Sequence, residues 1–435
     1  MWLNKATDMT AKNTELAVFG GGSMVTIEAP SWPIRTEDDA LRVADVVRSG
    51  HWSWIGDQER AFCEEYARFI GTRFCLCMAN GTVTLQCALQ AVGVVPGDEV
   101  VVPALTWVAT AQAALDIGAN VVLVDIDPRT LCMDPDAFEA AITPRTKAVV
   151  PVHLYGCMCD MDAVMRIARK HDVKVVEDTA HQHGSRWREQ SAGAIGHVGS
   201  FSFQQSKILT SGEGGAITCR DDEIYRTCFA LKQVGWCPDP AVPLTRDTPP
   251  QLARAGRYGH NYRITEMQAA LLRGGLARLE EQNRRREENA ACLAGELARI
   301  GGPLQAVPKD DRVTRQAYYA MTLYFDPALA RGASREQYRR AAGAEGVRLG
   351  TPYDPVYRNP LLNLYDATSP VPYRKPETVQ DYRSLNLPNT ERAVTQTALL
   401  LTHRFLLAER AYFDQVVAAV ERINANLDRV RTLAT

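Results

Sequence analysis

The 435-residue chain contains no run of about 18 apolar residues, so no segment reads as a membrane-crossing helix. Neither sign of charge is in excess: 49 lysines and arginines face 51 aspartates and glutamates, a formal net charge of −2. That balance lacks the basic footprint of a nucleic-acid binder, and no block of like charge marks a tail. The N-terminus shows no basic start followed by an apolar stretch, so no secretory signal is expected and a cytoplasmic setting is. Cysteine is not scarce, at 11, but the number is odd and no Cys-x-x-Cys occurs. Cys75 and Cys77, like Cys157 and Cys159, are spaced i, i+2. A metal site stays open on that spacing, but reduced, half-buried thiols are the simpler reading, and no metal is expected. Gly20-Gly21-Gly22 does not join a strand to a helix, so it reads as part of a flexible arm over residues 1–30 rather than a phosphate loop. Internal repeats and low-complexity tracts are also missing.

What is present is 46% hydrophobic residues in a regular alternation of short apolar runs and amphipathic stretches. Helical spacing covers 38–48 and 59–70, with an aromatic loop Gly50-His51-Trp52-Ser53-Trp54 between them. From Phe74 the pattern predicts strands over 74–78, 99–102, 121–124, 148–152 and 174–176. Helices over 84–92, 107–115, 135–142 and 160–170 fall between them. Continuous apolar strands between amphipathic helices imply an α/β domain whose mostly parallel sheet is covered on both faces. Two further strands, 199–203 and 215–219, are joined by a short turn and leave room for one antiparallel member. Residues 235–258 read as a long loop. A long helix over 265–296 follows, its charged run 280–288 expected as a solvated face. The last 130 or so residues hold Pro-rich loops (352–376) and a terminal helix over 408–427. The expected division is an arm (1–30), a large domain (31–280) and a smaller C-terminal α/β domain (281–435).

The stretch Gly199-Ser200-Phe201-Ser202-Phe203-Gln204-Gln205-Ser206-Lys207, running into Leu209-Thr210-Ser211-Gly212-Glu213-Gly214-Gly215, places one lysine in an apolar, Gly-rich turn. An amine held there is a candidate for a lowered pKa, which makes it a nucleophile toward aldehydes. A surface lysine at a turn is the alternative.

Four other motifs bear on that choice. Asn80-Gly81-Thr82 lies between a strand and a helix and suits an anion, or is an ordinary N-cap. Trp107, in Pro103-Ala104-Leu105-Thr106-Trp107, lies at the sheet edge where open α/β folds bind ligands, placed either to stack on a flat ring or simply to pack. Asp178, in Val175-Val176-Glu177-Asp178-Thr179-Ala180-His181, ends a buried strand. A carboxylate there costs desolvation unless it meets a cation such as a protonated pyridine nitrogen, or caps a helix. His181 is placed to bond a phenolic oxygen or the backbone. Asn261, in Gly259-His260-Asn261-Tyr262-Arg263, follows the long loop and precedes a helix, where it could be only a turn residue. One group reconciles these parts: pyridoxal 5'-phosphate (PLP), with an aldehyde for the lysine, a phosphate, a flat ring and a ring nitrogen.

Ser200–Gly215, with Glu177–Gly184, Gly97–Thr110, Val152–Gly156 and Gly259–Ala270, resembles the DegT/DnrJ/EryC1/StrS family of sugar and cyclitol aminotransferases. The resemblance runs from about residue 30 to 425. It implies the type I PLP-dependent, aspartate aminotransferase-like fold, a large domain with a mostly parallel sheet plus a smaller C-terminal α/β domain. It implies that Lys207 carries the cofactor and moves the proton, and that Asp178 faces the ring nitrogen. It places the phosphate on Gly81, Thr82, Ser202 and Asn261 from a neighbouring subunit, the stacking ring on Trp107 and the ring-oxygen partner on His181. A homodimer with shared sites follows. Phe-Ser-Phe-Gln-Gln-Ser-Lys, together with Leu16–Gly21 and Arg48–Trp52, looks most like the glutamine-dependent scyllo-inosose and 2-deoxy-scyllo-inosose branch of antibiotic biosynthesis. A nucleotide-linked keto-sugar and a 3-amino-5-hydroxybenzoate-type product are the alternatives. The expected substrates are a keto-cyclitol or keto-sugar and glutamine or glutamate. Arg263 and Arg404 are candidates for the donor carboxylate, and Tyr155, His183 and Gln205 for the polyol.

Overall fold

A computed structural model describes residues 15–54, 56–238, 252–254, 257–364 and 380–434. Seven strands form its main sheet: β1 (Phe74–Met78), β2 (Glu99–Pro103), β3 (Asn120–Val124), β4 (Thr146–Val149), β5 (Lys174–Asp178), β6 (Val198–Ser202) and β7 (Gly215–Cys219). Their order is β1-β7-β6-β5-β4-β2-β3. All run one way except β7, which pairs antiparallel with both β1 and β6. The sheet is buried on both faces, and the alternation of side chains along β2 shows how. Val100 and Val102 join one core with Leu85, Leu89 and Leu115, while Val101 joins another with Phe138, Val164 and Ile167.

The helices before and between these strands are α1 (Glu37–Ser49), α2 (Asp57–Ile70), α3 (Gly81–Ala91), α4 (Ala109–Asp116), α5 (Pro135–Ala140), α6 (Met161–Lys170) and α7 (Asp222–Lys232). Helix α3 begins three residues earlier than its apolar stripe suggests. The Asn80 side chain accepts from the Val83 amide at 3.0 Å, so Asn80 is the cap and Gly81 already the first helical residue.

Helix α8 (Glu266–Ile300) starts on a capping box made by Thr265 and Gln268. Its first half packs Leu272 and Leu279 against aromatic residues of α2 and β6. Its second half packs Leu293 and Leu297 into a separate core. That core is closed by an antiparallel sheet of β8 (Leu304–Ala306), β9 (Ala320–Phe325) and β10 (Ala398–Thr402), in the order β8-β9-β10, with α9 (Arg335–Ala344) and α10 (Arg410–Ala425).

Three expectations need correction. Of the expected arm, residues 15–28 are docked rather than flexible, and residues 1–14 lie outside the described residues. Leu16 is fully buried, and the wholly buried Glu345 carboxylate accepts from the amides of Ala17 and Met24, at 2.9 and 3.2 Å. A buried carboxylate needs such donors, and the arm supplies them. The 235–258 loop has paired ends: Trp236–Pro238 lies antiparallel to Leu252–Arg254. Residues 239–251 and 255–256 of that loop, and 365–379 of the Pro-rich stretch, lie outside the described residues. The charged run 280–288 is solvated on one face only. Arg284 pairs with Glu281 and Glu288 in water, but Arg286 is fully buried, donating to Asn283 at 3.0 Å with its guanidinium 5.5 Å from the Trp32 ring.

Candidate active site

The C-terminal ends of β1, β2, β5 and β6 open on one sheet edge, around a cavity of about 520 Å³. Gly81, Thr82, Trp107, Asp178, His181, Ser202 and Lys207, singled out in the sequence, all line it.

The β1–α3 turn supplies one wall. The first-turn amides of a helix lack intrahelical acceptors, and here they belong to Gly81 and Thr82. A Cβ at Gly81 would lie 2.9 Å from the Ser202 Cβ, so only glycine lets the turn approach β6 this closely. Thr84 fixes the approach from beneath, bonding the Gly81 carbonyl and the Ser200 hydroxyl, each at 2.7 Å.

The β6–β7 connection presents Lys207. Its backbone is closed by bonds from the Lys207 amide to the Gln204 carbonyl (2.8 Å), from the Gln205 amide to the Gly212 carbonyl (2.8 Å) and from Ser211 to Phe203 (3.1 Å). The lysine is only 9% exposed. Among the described residues its Nζ has no hydrogen-bond partner and lies 4.8 Å from the Tyr319 ring centre. Burial pulls its pKa down from 10.5 to about 8, against an opposing pull from the Asp178 charge. At pH 7 such an amine is neutral in about one molecule in ten, against roughly one in 3,000 for an ordinary lysine. The uncharged amine is the nucleophile, so the rate at which cofactor-stripped protein captures PLP is expected to rise with pH through a midpoint near 8. A midpoint above 10, measured by stopped-flow absorbance, would assign the lysine an ordinary environment.

Asp178 ends β5 inside the cavity and is buried. Burial raises its pKa, while bonds from the Thr110 hydroxyl (2.8 Å) and the Ala180 amide (3.2 Å) pull it back. Among the described residues it makes no ion pair. A buried carboxylate that faces a cavity with no cation at ion-pair distance is a place for a cationic ligand atom.

His181 accepts from the Tyr155 amide at Nδ1 (3.1 Å). The ring proton therefore sits on Nε2, 3.4 Å from the Tyr353 hydroxyl, and burial keeps the ring neutral. It stacks on Tyr319 with ring centres 3.9 Å apart. His181 is thus a neutral donor facing the cavity. Trp107 is 58% exposed and 5.5 Å from the Tyr353 ring, a large apolar face left open on the cavity wall. Exposed amides, an unpartnered amine, an isolated carboxylate and an open aromatic face fit the phosphate, aldehyde, ring nitrogen and ring of PLP.

Other expected residues are elsewhere. Asn261 is exposed and does not line the cavity of its own chain. Tyr155 is wholly buried, its hydroxyl taken by the Tyr353 amide at 2.8 Å. His183 turns into the core, where Nδ1 bonds the Tyr66 hydroxyl at 2.8 Å. Gln205 lies outside, its carbonyl accepting from the Trp32 indole. Arg263 lies over Trp54 and Arg404 over Phe405, and among the described residues no arginine lines the cavity. The residues missed are Thr110, Gln204, Tyr319 and Tyr353. Thr110 follows Trp107 by three positions, one helical turn, and was readable on that ground. The tyrosines come from the C-terminal part of the chain, which carried no local signal.

A model of the DegT/DnrJ/EryC1/StrS aminotransferase family matches residues 33–421. A Streptoalloteichus tenebrarius protein, provisionally named L-glutamine:3-amino-2,3-dideoxy-scyllo-inosose aminotransferase, is 38% identical over 96% of this chain and 100% of its own length. The L-glutamine:2-deoxy-scyllo-inosose aminotransferase of Micromonospora echinospora is 36% identical, over 96% of this chain and 100% of that one. Among solved structures, a 3-amino-5-hydroxybenzoic acid synthase superposes with a TM-score of 0.77 at 32% identity, covering 91% of this chain and 99% of that one.

Proposed function

Because the chain belongs to the DegT/DnrJ/EryC1/StrS aminotransferase family, we propose that it moves an amino group from L-glutamine to a keto-cyclitol of the scyllo-inosose type, in aminocyclitol antibiotic biosynthesis. The enzyme is a PLP-dependent aminotransferase. When bound, PLP supplies the aldehyde that exchanges amines and the ring that accepts the electrons of a broken C–H bond. The chain's residues do the rest. Lys207 anchors the cofactor and carries the proton, Asp178 keeps a proton on the ring nitrogen, and His181 donates to the ring oxygen. Gly81, Thr82 and Ser202 hold the phosphate, and Trp107 covers the ring.

The observation that carries the substrate class is full-length similarity to relatives named for two different inososes. The cavity supports it. Its lining offers Thr106, Gln204, Ser206, Tyr319 and Tyr353 as hydroxyl and amide partners for a polyol. A ping-pong site receives the amino acid and the ring ketone in turn. A fixed arginine suited to the first would stand unpaired against the second, and among the described residues the lining has none.

Absorbance tests the reading. L-Glutamine should bleach the visible band of the bound cofactor, and 2-deoxy-scyllo-inosose or its 3-amino relative should restore it. Restoration by nucleotide-linked keto-sugars alone would overturn the cyclitol assignment.

A homodimer with shared sites is part of the proposal, with Asn261 serving the phosphate of the neighbouring subunit. Mixing Asn261→Ala chains with Lys207→Ala chains is the check. One site of a mixed dimer then carries both defects and the other neither, so activity should return toward a quarter of wild type as subunits exchange at random. Proven exchange without any return would place Asn261 outside the site.

A further inference from the structure

Three cysteines that the transamination chemistry does not use meet between α2 and β1. Side chains two apart on a strand share a face, so Cys75 and Cys77 both point toward α2, which supplies Cys63. The three Sγ atoms lie within 4.8 Å of one another, and Cys63 Sγ is 3.6 Å from Cys77 Sγ. Four-coordinate zinc at about 2.3 Å from each sulfur would space them about 3.8 Å apart, and a planar three-coordinate ion about 4.0 Å. The thiols already span those values, so small side-chain rotations close the site. Phe62, Tyr66 and Phe201 pack around it, and Cys75 and Cys77 are buried while Cys63 is partly exposed, which gives an ion one way in.

The donor set is sulfur only. Hard cations such as Mg²⁺ and Ca²⁺ require oxygen, whereas thiolates select soft d10 ions. We propose that Cys63, Cys75 and Cys77 bind one soft d10 cation, Cu(I) or Zn(II), in a thiolate site that ties α2 to β1. Each thiol that ligates releases its proton to solvent. Cu(I) is satisfied by three sulfurs, while Zn(II) takes a fourth ligand, water reaching the open side of Cys63. The ion would anchor β1 three residues before Asn80 and Gly81, where the strand feeds the cavity wall. The proposal does not depend on the identity of the ketone or the donor.

Reduced, metal-free holoenzyme is incubated anaerobically with Cu(I) in one arm and Zn(II) in the other, then desalted and assayed for metal. About one ion per chain should remain in at least one arm. Retention of Zn(II) alone assigns four-coordination, and of Cu(I) alone a trigonal site. Cys63→Ser and Cys77→Ser should each weaken retention roughly 100-fold, beyond the loss caused by removing an outer-shell partner, while Cys132→Ser should not. In the unmodified protein the retained ion should slow iodoacetamide labelling of Cys63 about tenfold, since a ligated thiolate is not free to react. That arm needs no variant to fold. Failure of both metals to remain, equal retention by Cys63→Ser, or unchanged labelling of Cys63 would each overturn the site.

Discussion

Lys207→Ala should lose at least about 10⁴-fold in kcat while melting within a few degrees of the parent. The roles proposed for Lys207 give one amine two functions. General acid–base groups contribute roughly 10²- to 10⁴-fold, and the covalent anchor is lost as well. Among the described residues no other amine lines the cavity. His181 is neutral, with Nδ1 committed to the Tyr155 amide. Tyr319 and Tyr353 are phenols, and burial pushes the Tyr353 hydroxyl far above its usual range. The fold should survive because, among the described residues, the amine has no hydrogen bond to lose, and its burial opposes its own charge. Removing an ion that burial disfavours costs little stability. Steady-state assay and thermal melting, read together, separate the outcomes. Turnover within tenfold of the parent would remove Lys207 from the chemistry, and a collapse in melting temperature would make it a structural residue.

The sheet was legible because its strands are apolar on both faces and its helices are not. β1 and β7 were placed to the residue, and the other strands of the main sheet to within about three. The sequence also carried the cavity's first ring of residues, since each sits at a strand end, a helix start or a turn just past a strand, where the backbone itself signals a turn. What it did not carry was contact across long separations. Tyr353 reaches His181 across 172 positions, and nothing in the local pattern at either residue marks that meeting. The same holds for Cys63, whose partners Cys75 and Cys77 were visible as a pair while their third member sat on a helix. Arg286 shows the converse failure. A run of charges looks solvated in one dimension, but a helix turns 100° per residue and carries one of them into the core.

The second large effect concerns Asp178. Asp178→Asn should lower kcat by about 10² to 10⁴, the range lost when a single charged or hydrogen-bonding group is taken from a buried reacting centre. The amide is nearly the same shape. Its oxygen can still accept from the Ala180 amide, and its nitrogen can donate to the Thr110 hydroxyl, which already shares a bond with Thr106 at 2.9 Å. If Asp178 were only a cap, the change would therefore be mild. An amide cannot hold a proton on a ring nitrogen, so the loss should appear in turnover and not in folding. The sign of the stability change adds a second measurement. Burial raises this carboxyl above its unfolded value, so in the cofactor-free protein its favourable, protonated state is lost as pH rises through the folded pKa. Asparagine removes that penalty. Cofactor-free Asp178→Asn should then melt no lower than cofactor-free wild type at pH 7.5, and its advantage should shrink as pH falls through the folded pKa and be gone below the unfolded value near 4. Holoenzyme should show the reverse order, because the wild-type carboxylate alone gains an ionic partner from the cofactor. Equal melting of the two holoenzymes combined with near-normal turnover would leave Asp178 a structural cap.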